Sequence, residues 1–225
     1  MRNVRGLTSE RVAILPPGDM PLNGIIAGRQ GAAVRQLLSP QAARVESDGV
    51  ALQHSCWTYE EREILIPSVK LEGRRMLVTV EGSSDDADLV ADAILSAISG
   101  DDAPAEPVAV VYDTTCRATL DFDWQELFSP KLMALIGRSA LPAFAVGGKE
   151  PRIVGAQALF VLRYRTPEEL EERAVGLSPK NLSIAPEPQR PLAERRYVTQ
   201  SPSRSEEHLR LLEELEAALV NNEES

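Results

Sequence analysis

Between Val108 and Phe122 the chain reads VAVVYDTTCRATLDF and alternates between apolar and polar positions. Val108, Val110, Tyr112, Thr114, Cys116, Ala118, Leu120 and Phe122 share one parity. From position 111 the other parity holds Val111, Asp113, Thr115, Arg117, Thr119 and Asp121. A strand points successive side chains to opposite faces, so this pattern predicts a long strand with one dry and one wet face. Cys116 lies on the dry parity, where a thiol acts as a small apolar filler.

Shorter extended segments are expected elsewhere. They are Arg11–Leu15, stopped by Pro16, Pro17 and Gly18, then Ala43–Glu46, Val50–Tyr59, Glu63–Ile66 and Arg75–Glu81. Helical spacing appears at Gln30–Leu38, stopped by Ser39–Pro40, and more strongly at Asp85–Ser99. There Leu89, Val90, Ala93, Ile94, Ala97 and Ile98 form one stripe, with Asp85, Asp86 and Asp88 in the first turn and Gly100 as the stop.

Asp123 and Glu126 have the spacing of a capping box. Ser129 followed by Pro130 predicts a helix over Lys131–Ser139. A hairpin-like pair, Ala143–Val146 and Ile153–Arg165, flanks Gly147–Gly148, and a helix from Thr166 ends at Gly176. The prolines at 179, 186, 188, 191 and 202 predict an extended arm with a short strand at Arg196–Thr199. A last amphipathic helix, about Arg204–Asn221, follows through Leu211, Leu212, Leu215, Ala218 and Leu219.

These elements predict an α+β fold with a mainly antiparallel sheet and helices packed on one side. Two similar-sized subdomains are expected, 1–100 and 108–176, joined by the polar bridge GDDAPAEP. A Pro-rich arm over 177–202 and a helix with a frayed tail over 203–225 complete the chain. The segments LLSPQ (37–41) and LFSPK (127–131), ninety residues apart, hint at a duplicated unit.

Composition narrows the function. Hydrophobic residues make up 43% of 225 positions, enough for a genuine core, and aromatics only 4%, so that core should be aliphatic. A net charge of −10 argues against nucleic acid or an acidic membrane as partner, because phosphate binding needs a clustered basic surface. Four lysines against twenty arginines suit a GC-rich, bacterial-like coding sequence. With no apolar run near the ~18 residues of a membrane span, no export signal and two cysteines, the expected setting is the reducing cytoplasm.

Candidate chemistry is sparse. His54 and Cys56, two apart, are the one thiol–imidazole pair, although Val50, Leu52, His54 and Cys56 also read as an inward stripe. The two histidines, His54 and His208, and the two cysteines show no metal-ligand spacing, so no metal and no cofactor is expected; His208 should be exposed. Gly24, Gly28 and Gly31 match no phosphate-loop spacing, and they leave Arg29 as the nearby candidate for an anion.

Asp113, Arg117 and Asp121 line the wet face of the long strand, and Arg163 and Arg165 share a face of another. As neighbours these strands would form a charged ladder or a ligand-binding face. Four Ser-Pro pairs, at Ser39, Ser129, Ser178 and Ser201, read as caps and turns.

The leading expectation is therefore a non-catalytic protein that works by protein–protein contact, through self-assembly or as a subunit, with Leu211, Leu212, Leu215 and Leu219 as the contact stripe. The alternative is an enzyme or a binder of a small anionic ligand between the subdomains, using Arg29, Arg117, Arg163, Arg165 and the His54–Cys56 pair.

Overall fold

The computed structural model describes residues 3–16, 29–45, 49–100, 106–136, 157–162 and 180–220. In chain order the elements are β1 (Asn3–Ile14), α1 (Arg29–Leu38), β2 (Ala42–Val45), β3 (Gly49–Tyr59), β4 (Arg62–Glu72), β5 (Arg75–Glu81) and α2 (Ser84–Ser99). There follow β6 (Ala109–Thr119), α3 (Pro130–Leu135), β7 (Ala158–Leu162), β8 (Lys180–Pro186), β9 (Arg196–Ser201) and α4 (Ser205–Val220). Single 3-10 turns lie at Trp124–Leu127 and Leu192–Glu194.

The nine strands among the described residues have the order β2-β3-β4-β5-β1-β6-β9-β8-β7, with antiparallel registers such as β1–β5, β3–β4 and β7–β8. The class is α+β, as the periodicity predicts. The chain divides into two compact units, one made of residues 6–115 and 202–208, the other of 1–5, 116–201 and 209–225. The division falls inside β6, between residues 115 and 116. Most of the bridge expected to separate two subdomains, residues 101–105, lies outside the described residues.

In the first unit α1 and α2 share one aliphatic core with β3, β4 and β5: Val34, Leu38, Val90 and Ile94 meet Val50, Leu52, Ile66, Leu71, Met76, Val78 and Val80. Helix α2 starts earlier than its apolar stripe because Ser83 caps it. The Ser83 hydroxyl accepts from Asp86 N–H at 3.2 Å, and the Asp86 carboxylate accepts from Ser83 N–H at 2.8 Å. Gly82 makes room for this box, since a Cβ there would sit 2.5 Å from Asp86 Oδ2. Arg11, on the helix-facing side of β1, places its guanidinium 2.9 Å from Asp88 and 3.3 Å from Asp92 on α2. That pairing offsets the burial of its charge.

Strands β3 and β4 both change parity midway. Val50 and Leu52 face the core, and then Trp57 and Tyr59 do. On β4, Ile64 and Ile66 face it, and then Val69 and Leu71. The switch falls where His54, with φ +52°, lies between the pairs Gln53–Ser68 and Ser55–Ile66, opposite Pro67. A proline has no N–H for the ladder, and the register toward β5 shifts between Leu65 and Ser68 as a bulge. The expected strand Glu63–Ile66 therefore does not stop at Pro67. It continues to Glu72 with its faces exchanged.

In the second unit the dry face of β6 and the residues after it, Cys116, Ala118, Leu120 and Phe122, are buried. Phe122 meets the Tyr197 ring at 5.0 Å, and the Tyr197 hydroxyl donates to the Phe122 carbonyl at 2.8 Å. At the other end of the same stretch Val108 and Val110 are 48% and 36% exposed, so the predicted dry face is dry only from Thr114 onward. Alternation tells which side chains share a face. It does not tell how far along the strand that face is covered.

Residues 180–201, expected as an arm with one short strand, form β8 and β9, which pair from Ser183–Gln200 to Pro186–Tyr197. Asp123 makes no side-chain cap for the 3-10 turn and instead meets Arg195 at 3.0 Å. The two Ser-Pro segments sit at opposite helix ends. Ser39 closes α1 with φ +43°, whereas the Ser129 hydroxyl opens α3 by accepting from Leu132 N–H at 3.2 Å. The hint of duplication has no structural counterpart there. The hairpin near Gly147–Gly148 and the helix from Thr166 to Gly176 lie outside the described residues.

Candidate functional site

The parity switch decides what becomes of the thiol–imidazole pair. Without it Cys56 would continue the inward stripe of Val50 and Leu52. With it, Cys56 and His54 are both exposed and line one shallow depression of about 300 Å³. The other lining residues are Gln41, Ser55, Leu65, Ile66, Pro67 and Glu81. The register places Cys56 opposite Leu65, and Leu65 opposite Glu81, so thiol, apolar side chain and carboxylate stand in one row across β3, β4 and β5. Leu65 is 48% exposed, which gives this row an apolar middle. Gln41, Leu65 and Glu81 were not foreseen as neighbours of the pair. The available signal was Pro67 inside an apolar run, which marks a bulge or an edge.

Cys116 is the opposite case. Burial raises its thiol to about 11, with a smaller opposing effect of the Thr199 hydroxyl, so it stays protonated and inert. Both cysteines are free thiols.

A second polar cluster, in the first unit, is structural. Arg204 donates to Asp85 at 2.6 Å, to Asp88 at 2.7 Å and to the Tyr112 hydroxyl at 2.6 Å, with its guanidinium 4.6 Å from the Tyr112 ring centre. The Tyr112 hydroxyl donates to Asp88 at 2.8 Å, and burial together with that carboxylate raises its pKa. Ser84 and Ser205 exchange hydrogen bonds from N–H to hydroxyl at 3.1 and 3.3 Å, and Thr114 donates to the Ser203 carbonyl at 2.7 Å. Residues 202–208 are thereby fastened to the first turn of α2. Arg204 spends its donors on this fastening.

The seam of α4 is rotated from the expected leucine stripe. Ser205, His208, Leu212 and Glu216 are buried, Leu209, Leu215 and Leu219 are half-buried, and Leu211 is 39% exposed. His208, expected at the surface, is 1% exposed, and burial lowers its pKa to about 4. The buried Glu216 accepts from Asp121 N–H at 2.6 Å, at the end of β6. Counting leucines placed the seam on the most apolar residues, whereas the helix buries two ionisable ones along its centre.

The remaining candidates do not converge. Arg117 is exposed on β6. Arg163 and Arg165 lie outside the described residues, as does the side chain of Arg29, the first residue of α1. Strand β7, which ends at Leu162 just before Arg163 and Arg165, is separated from β6 by β9 and β8 in the sheet. Among the described residues no group of three or more His, Cys, Asp or Glu is placed to hold a metal ion, and no helix is long and apolar enough to cross a membrane. No protein-family model matches this sequence, and no curated protein is similar to it.

Proposed function

We propose that this is a non-catalytic cytoplasmic protein that acts by protein–protein contact, and that the contact is with a second copy through β7. The observation behind this reading is the exposure of three consecutive apolar side chains, Leu159 (51%), Phe160 (60%) and Val161 (66%). Consecutive residues of a strand point to opposite faces, so β7 presents apolar surface on both. Among the described strands it stands last in the order, with β8 on one side. An exposed apolar edge strand, even one of five residues, is a template for further pairing.

A copy of the same strand suits this edge. ALFVL carries no charge, and antiparallel pairing centred on Phe160 sets Leu159 against Val161 and Ala158 against Leu162, apolar throughout. The test is light scattering of the full chain over a range of concentrations, beside Phe160→Lys. The expected result is a mass above 24.6 kDa for the parent and a monomer for the variant, with unchanged circular dichroism. A parent that stays monomeric throughout, or a variant that associates as the parent does, overturns the reading.

A further inference from the structure

We draw no further inference here: the strongest candidate, the shallow depression at the parity switch of β3 and β4 that holds the His54–Cys56 pair, rests on a lone exposed cysteine, and nothing beside it in the structure shows what would bind there.

Discussion

Acidification should destabilise this protein through His208 in a pH range set by one burial. The imidazole is 1% exposed, and burial holds its pKa near 4 instead of the usual 6.5. Because the native value is the lower one, the unfolded chain binds the proton first as pH falls. Stability from this group is complete above about pH 6.5, declines as pH falls toward 4, and is constant below that. At 1.36 kcal/mol per unit, a displacement of about 2.5 units corresponds to about 3 kcal/mol, an order-of-magnitude figure.

The assay is urea unfolding of the parent and of His208→Gln, which keeps a neutral polar side chain of similar size, at a series of pH values from 7.5 to 4. Carboxylates titrate in both proteins, so the informative quantity is the difference between them. That difference should shift by about 3 kcal/mol in favour of the variant between about pH 6.5 and 4. Parallel stability curves would refute the argument that His208 is buried as a neutral imidazole.

Two other outcomes follow from the same structure. Ending the chain after Gln200 removes Arg204, Ser205 and His208, and with them the fastening to Asp85, Asp88 and Ser84. Thermal unfolding should show a destabilised first unit, and an unchanged melting temperature would contradict the role of that cluster. Replacing His54 by glycine relieves a left-handed conformation that costs an ordinary residue roughly 1 kcal/mol. Chemical denaturation should find His54→Gly as stable as the parent or up to about 1 kcal/mol more stable. A loss larger than that would mean that the imidazole itself holds the bulge together.

Much of the local architecture was legible in the chain. Alternation located β3 and β5, and helical spacing located α1, α2 and α4, within a residue at their ends, while β6 stops at Thr119, three residues short of the alternating stretch. Those signals depend on near neighbours, which a one-dimensional pattern records well. The candidate site was half legible. The spacing of His54 and Cys56 named the pair, but strict period-two reading assigned Cys56 to the core.

What the sequence determined alone is the set of side chains that share a face wherever the backbone stays regular, and hence an aliphatic, acidic α+β protein. Tertiary structure alone decided three things. Pairing of β3 with β4 set His54 opposite Pro67, and the bulge there exchanged the faces of both strands. Packing rotated the seam of α4 onto His208 and Glu216, because those ionisable groups found partners or a neutral state inside. Strand order placed β8 and β9 between β6 and β7, two strands that are consecutive among those described along the chain. Each depends on contacts between residues far apart in the chain, and periodicity carries no information about which distant segment supplies the neighbour.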